Sequence, residues 1–321
     1  MDVASGITIV TTPSFGAFSS DPWDAAREEN LDLRRSRVAG PLSSAQLAAE
    51  LATAVAVIVG VDQLDRAAIE SAPNLAVIGK HGVGVDNIDL AAAAERDITV
   101  VLTPGANTSA VADMTLALLL AGARRLLDAD RSLRAGLWEK FSGPALEGRT
   151  LGLLGFGRIG QAVARRAAGF DCEIVAFDPV VPAEVFGRAG VRAVGWDDVI
   201  SGSDFLSLHL PLLPGGGAVL TGAEFARMKP GVGIVNTARG GLIEEAALVA
   251  ALEAGTVGFA ALDAFASEPL DADSPLRLAP RTLLTPHAAA FTDLANARMG
   301  TMVVRDIARV LRGEAPQHPV Q

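Results

Sequence analysis

A chain of 321 residues that is 50% hydrophobic and 20% charged has room for about two domains and is too apolar to be largely disordered. Its 27 basic and 37 acidic side chains leave a net charge of −10, which argues against a general nucleic-acid binder with a basic face. With one cysteine, Cys172, no intramolecular disulfide can form, and a reducing cytoplasm is the expected compartment.

Met1-Asp2-Val3-Ala4 lacks a basic n-region, so no secretory leader is expected. The leucine-rich stretch 114–123 is far shorter than the roughly 20 residues needed to cross a bilayer, and a soluble protein is expected. Short β-branched or apolar runs then alternate with alanine-rich stretches. Residues 7–11, 54–59, 75–78 and 98–101 are expected strands, with helices at 44–51 and 65–72 between them. That alternation implies a parallel sheet covered by helices. A long helix starts at Asn107-Thr108-Ser109 and closes at Arg124-Arg125, where basic side chains suit the helix dipole.

A second series begins at 150–154. Further strands are expected at 173–177, 204–208, 232–236, 259–263 and 282–285, with helices at 158–168, 222–228 and 244–254. These six strands fit one doubly wound sheet. Pro104-Gly105 is the natural break between the two series, and a final helix over 293–311 is expected to return to the first domain.

The strand at 150–154 runs into Gly155-Phe156-Gly157-Arg158-Ile159-Gly160 and then a helix. In this setting Gly155 makes the tight turn, Gly157 lets a pyrophosphate approach the backbone, and Gly160 lets helix and strand pack closely. The helix N-terminus offers free amides and positive dipole to the phosphates. Asp178 ends the next strand, placed to accept hydrogen bonds from ribose hydroxyls and to repel a 2′-phosphate, which favours NAD over NADP.

Ligands of a parallel α/β sheet bind beyond the carboxyl ends of its strands. The last three strands lead into Arg239, Glu268 and His287, which would converge on one rim. An arginine fork can grip a substrate carboxylate and polarise the adjacent carbonyl. A histidine can give a proton to that carbonyl oxygen as hydride arrives, and a neighbouring carboxylate favours the protonated ring and sets its tautomer. Together they describe interconversion of a 2-hydroxy acid and a 2-oxo acid. Taken singly, each has an ordinary structural alternative as a loop arginine, an exposed acid or a packed histidine.

At these residues the chain resembles the D-2-hydroxyacid dehydrogenase family, especially its phosphoglycerate dehydrogenase-like branch. The resemblance rests on Gly82-Val83-Gly84-Val85-Asp86-Asn87-Ile88-Asp89, Thr103-Pro104-Gly105-Ala106-Asn107, the glycine triplet and His209-Leu210-Pro211-Leu212. It continues through Asn236-Thr237-Ala238-Arg239-Gly240-Gly241, Leu262-Asp263-Ala264-Phe265, Glu268-Pro269 and Thr285-Pro286-His287.

The resemblance implies an NAD-binding Rossmann domain over 105–290 and a smaller flavodoxin-like substrate domain built from 1–104 and 291–321. It implies catalytic roles for Arg239, Glu268 and His287. Cofactor contacts are implied at Arg158, Ile159, Asp178, His209, Leu210, Pro211, Thr237, Ala238, Arg239, Asp263, His287, Ala289 and Ala290, with Asp263 at the nicotinamide carboxamide. Substrate contacts are implied at Lys80, His81, Gly82, Val83 and Gly84, beside Arg239 and His287. It further implies a homodimer formed through the helix after Asn107, and a small-molecule acid as the only partner, with neither nucleic acid nor membrane. No appended regulatory domain, and so no serine feedback, is expected.

Some positions depart from the family pattern. Gly60-Val61-Asp62 stands where phosphoglycerate dehydrogenases often carry an Arg-Ser pair, and Ala288-Ala289-Ala290 replaces a glycine-containing run. Lys80 and Lys140 are either point charges for a phosphate or phosphonate, or solvated surface lysines. His81 is either a substrate contact or structural, His209 is expected to shape the cofactor loop, and Cys172 to be a small packed residue. No Cys/His spacing suggests a metal. Reduction of glyoxylate or hydroxypyruvate, and oxidation of a phosphonate or other phosphorus oxyanion, stay open as alternatives. So does a different class, an NADH-sensing protein similar to transcriptional corepressors of this family.

Overall fold

The computed structural model describes residues 6–38, 42–213 and 215–320; the leader reading at Met1-Asp2-Val3-Ala4 lies outside them. The chain forms two compact units, residues 1–107 with 290–321, and residues 108–289, so the first crossing falls just beyond the Pro104-Gly105 turn.

The first unit contains β1 (Ile7–Val10), α1 (Asp21–Glu28), β2 (Asp32–Arg35), α2 (Ser44–Leu51), β3 (Ala54–Val59), α3 (Arg66–Glu70), β4 (Val77–Lys80), α4 (Leu90–Glu95) and β5 (Thr99–Val101). The strands form one parallel sheet in the order β2-β1-β3-β4-β5, the flavodoxin-like arrangement. In β3, five of the six residues are buried, as a strand covered on both faces requires. Its helices start on local signals. A reciprocal Ser43–Gln46 capping box opens α2, and the carboxylates of Asp65 and Asp89 accept the amides of Ala68 and Ala92 (both 2.9 Å) to open α3 and α4.

The second unit contains α5 (Thr108–Ala123), α6 (Leu126–Arg134), β6 (Thr150–Leu154), α7 (Arg158–Ala167), β7 (Glu173–Phe177), α8 (Ala183–Arg188), β8 (Arg192–Ala193), α9 (Trp196–Gly202), β9 (Phe205–Leu208), α10 (Gly222–Phe225), β10 (Val232–Asn236), α11 (Glu245–Glu253), β11 (Val257–Leu262) and β12 (Thr282–Leu284). Its parallel sheet has the order β12-β11-β10-β9-β6-β7-β8, doubly wound about β6 and β9. The chain then returns to the first unit as α12 (Asp293–Leu311), opened by the Thr292 side chain. Gly79 and Gly300 let α12 approach closely. A Cβ on Gly79 would lie 2.4 Å from Val303, and one on Gly300 would lie 2.5 Å from Pro22.

The structure corrects three expectations. The second sheet has seven strands rather than six, because Arg192 and Ala193, both exposed, add a short edge to β7. β2 is a charged edge strand of sequence DLRR, held by its register with β1 and invisible to hydrophobic patterning. The strand expected at 75–78 starts at Val77 and runs to Lys80, because the Leu75 amide turns back to the Ala72 carbonyl.

Candidate active site

Glu268 and His287 meet at the carboxyl end of the second unit's sheet. The Nδ1 of His287 lies 2.7 Å from Oε2 of Glu268, while Oε1 accepts the Phe265 amide at 3.0 Å. Desolvation pushes the Glu268 carboxyl up. The hydrogen bond and charge of His287, the Phe265 amide and the nearby charge of Arg239 outweigh it and hold the group below the usual carboxylate range. Glu268 is therefore an anion beside the imidazole. With Nδ1 turned to this carboxylate, Nε2 is the nitrogen left to exchange a proton with a ligand. His287 has φ 49°, a left-handed conformation that few non-glycine residues adopt.

That turn is held by Asp263, which is 1% exposed at the end of β11. Its Oδ1 accepts the Thr285 hydroxyl (2.6 Å) and the Ala288 amide (2.8 Å), and its Oδ2 accepts the Ala289 amide (2.8 Å). Both oxygens are thus engaged with the residues on either side of His287, a positioning role that sequence reading did not assign to Asp263.

Arg239 is half-buried at the turn after β10, with its Nη1 donating to the Ala238 carbonyl at 2.8 Å. The turn is shaped by Asn236, which is fully buried. Its Oδ1 accepts the Ala238 amide (3.0 Å) and its Nδ2 donates to the Arg239 carbonyl (2.8 Å). Gly240 is compulsory here, since a Cβ would lie 1.8 Å from the Phe265 carbonyl carbon. Thr237 is tied to α5 by a buried contact of 2.8 Å between its hydroxyl and that of Thr115. Sequence reading quoted Asn236 only as part of a motif and missed Thr115. The one signal for Thr115 was a hydroxyl within the apolar stretch of α5 that follows Asp113.

The glycine triplet sits between β6 and α7. Gly155 has φ 97°, and a Cβ there would lie 2.6 Å from the His209 carbonyl carbon; one on Gly160 would lie 2.3 Å from the Gly155 oxygen. Gly157 differs, because a Cβ there meets nothing within 4 Å. It is the residue before α7, whose start has no side-chain cap, so open space lies against uncapped helical amides. Asp178 accepts the Phe156 amide (2.8 Å) on Oδ2 and the Val180 and Val181 amides on Oδ1. An open glycine, an uncapped helix start and an acid joined to the same turn fit a dinucleotide. His209 contributes its backbone to the floor of this turn. Its ring Nε2 lies 3.0 Å from the Ser207 hydroxyl, and desolvation lowers its pKa to about 4. Leu210 is partly buried and Pro211 exposed on the following loop.

The remaining expected residues divide by unit. Lys80, His81, Gly82, Val83, Gly84 and Ala290 belong to the first unit, and exposed Lys140 to the second. The Lys80 ammonium donates to the Gly60 carbonyl (2.5 Å) and to Oδ1 of Asn87 (2.6 Å), and Asn87 in turn donates to the carbonyls of Gly60 and Asp62. Lys80 thus joins the loops after β3 and β4, a structural task not foreseen. His81 is 7% exposed and edge-on to Phe15, and burial lowers its pKa to about 4.

Comparison with known proteins agrees with this geometry. The family model described as D-isomer specific 2-hydroxyacid dehydrogenase, NAD binding domain, matches residues 116–289. The D-3-phosphoglycerate dehydrogenase of Archaeoglobus fulgidus is 39% identical over 92% of this chain and 56% of its own length. The chain spans about half the length of the curated relatives it matches. A protein of known structure from Thermus thermophilus is 36% identical with a TM-score of 0.88, over 98% of this chain and all of its own. An NAD-dependent formate dehydrogenase from Staphylococcus aureus, solved in complex with NAD, is 28% identical with a TM-score of 0.86, over 98% of each chain.

Proposed function

The chain belongs to the D-isomer specific 2-hydroxyacid dehydrogenase family and carries its NAD-binding domain, and from that premise we propose that the protein interconverts a D-2-hydroxy acid and its 2-oxo acid. The observation that carries this reading is the 2.7 Å contact between His287 and Glu268 beside the charge of Arg239. The activity named for the relatives makes 3-phosphoglycerate and its 2-oxo form the first substrate to try.

When bound, the nicotinamide supplies or accepts the hydride at the substrate's C2. Arg239 grips the substrate carboxylate and polarises the C2 carbonyl through its planar fork. In reduction, His287 gives its Nε2 proton to the carbonyl oxygen as that oxygen becomes a hydroxyl; in oxidation it takes the proton back. Glu268 keeps Nδ1 protonated and stabilises the imidazolium. Gly157 and the start of α7 hold the pyrophosphate, and Asp178 takes the ribose hydroxyls and disfavours a 2′-phosphate.

The first unit serves as the substrate domain, with contacts from the Val83 and Gly84 amides. We place the enzyme in the cytoplasm as a homodimer formed through α5 and the segment after it. Support for that face is the exposure of five large apolar side chains within one short stretch, Leu126, Leu127, Leu133, Leu137 and Trp138. The test follows NADH absorbance with a panel of 2-oxo acids that includes phosphorylated and neutral side chains, each repeated with NADPH. Turnover that prefers NADH is expected. Tight NADH binding without turnover of any acid overturns the enzyme in favour of a sensor.

A further inference from the structure

In the first unit β4 ends at Lys80, and residues 81–87 follow as a glycine-containing loop. The polar groups of its backbone divide by direction. The Gly82 carbonyl accepts both the amide and the hydroxyl of Thr103 (3.0 and 2.9 Å), and the Asn87 carbonyl accepts the Leu64 amide at 2.8 Å. The amides of Val83 and Gly84 donate to no acceptor among the described residues, and Val83 is exposed with Gly84 partly so. Two such amides in succession suit a carboxylate.

The Lys80 side chain holds this loop from inside. The residue is 9% exposed, and its stem runs beside Gly82, where a Cβ would lie 3.5 Å from Cε. The ammonium donates to the Gly60 carbonyl at 2.5 Å and to Oδ1 of Asn87 at 2.6 Å, so at least two of its three protons are spent within the unit. Asn87 closes the ring, since its Nδ2 donates to the same Gly60 carbonyl (3.1 Å) and to that of Asp62 (2.5 Å). The loops after β3 and β4 are thus fastened at one point.

No other lysine or arginine lies on the neighbouring loops over 11–20, 60–65, 80–89 and 102–107, which follow β1, β3, β4 and β5. A Cβ on Gly60 would lie 2.7 Å from the Thr12 hydroxyl, so position 60 is closed to a longer side chain that could bring a charge. Asp62 turns its carboxylate inward to the Thr11 hydroxyl and the Leu42 amide.

We propose that Lys80 is a positioning residue, which sets the Val83 and Gly84 amides for the substrate carboxylate, and not a ligand for a second anion on the substrate. Drawing the ammonium out to a phosphate would break both of its bonds and release the loop it holds. A phosphate on the side chain of the acid therefore gains nothing from Lys80. This inference rests on the proposed reaction, with the first unit as its substrate domain.

The test compares hydroxypyruvate with 3-phosphohydroxypyruvate, which differ only in the phosphate, in steady-state reduction by the full chain. Lys80→Met should lower kcat/KM about tenfold for both, the scale of a lost charge-assisted hydrogen bond. The loss should fall on the KM for the acid, with the KM for NADH and the ratio between the two acids unchanged. Asn87→Ala removes no charge and should give the same signature, and the double variant should lose little more than either single one. If Lys80→Met fails to fold, Lys80→Gln, which keeps a neutral donor, should show the same unchanged ratio. A larger loss for the phosphorylated acid overturns the proposal. Oxamate, a pyruvate isostere, gives a second reading that needs no turnover, by calorimetry of the NADH-saturated chain. Its affinity should fall about tenfold in Lys80→Met. Parental affinity in that variant, or no binding to the parent, overturns the proposal. The expected oxamate result in a chain that turns over no acid supports the role of Lys80 and strikes at the proposed reaction alone.

Discussion

The carboxylate of Asp263 accepts the hydroxyl of Thr285 at 2.6 Å, and through two further bonds it also holds the amides of Ala288 and Ala289. His287 thus sits in a left-handed turn clasped on both sides by one buried acid. Asp263→Asn exchanges an accepting oxygen for a donating NH2 opposite one of these donors. It should cost about 1–3 kcal/mol of stability, the usual penalty of a buried unmatched polar group. Denaturant unfolding and kcat should fall together. Unchanged values in both would remove Asp263 from the support of His287.

His287→Asn should lower kcat by about 10²–10⁴, the usual worth of general acid–base catalysis. Glu268→Gln keeps the shape of the side chain but removes the anion that lies 2.7 Å from Nδ1, so it should lower kcat by less than loss of the ring and leave the KM for NADH unchanged. Steady-state rates read this directly, and a parental kcat would show that Glu268 does not act through His287.

Arg239→Lys keeps the charge and loses the fork. A loss of about 10–100-fold in kcat/KM is expected, the scale of a charge-assisted hydrogen bond. Parental kcat/KM would assign the carboxylate to other donors.

The three glycines of the nucleotide turn should separate by substitution. Gly160→Ala meets backbone at 2.3 Å, and Gly155→Ala meets His209 at 2.6 Å in a conformation that disfavours a side chain. Both should lower the melting temperature. Gly157→Ala meets nothing, so the protein should fold normally while the added methyl occupies the space for the pyrophosphate. Its melting temperature should match the parent and its KM for NADH should rise. A parental KM for NADH would place the phosphates elsewhere.

What could be read in advance follows from how each feature is held. β3, β6 and β10 are apolar or β-branched runs that bury themselves in a two-sided sheet, β7 is a half-buried run beside them, and the bounds of all four were legible directly. β2 and β8 exist because β1 and β7 offer an edge, a long-range cause that leaves no local pattern. Arg239, Glu268 and His287 stood out as candidates because each follows a readable strand, and the fold brings Glu268 and His287 into contact. Side-chain contacts between distant stretches left less trace. Thr115 reaches Thr237 across 122 positions, and Lys80 turns toward Gly60 and Asn87, contacts that only the fold creates.

His81 and His209 predict an acid-sensitive fold. Burial lowers both from about 6.5 to about 4, so each is neutral in the folded chain at pH 7. Between those values the unfolded chain binds the proton and the folded chain does not, so stability rises with pH there. The stability is fully present above about pH 6.5 and is lost as pH falls toward 4, by at most about 3 kcal/mol for each histidine. His81→Phe should flatten this dependence for the first unit, and His209→Asn for the second. Trp23, edge-on to Phe15 beside His81, reports unfolding of the first unit, and Trp196, packed on Phe177, that of the second. Urea unfolding at pH 7.5, 6 and 5 should show the flatter dependence in each variant. Parallel curves for variant and parent would mean that other groups set the acid limit.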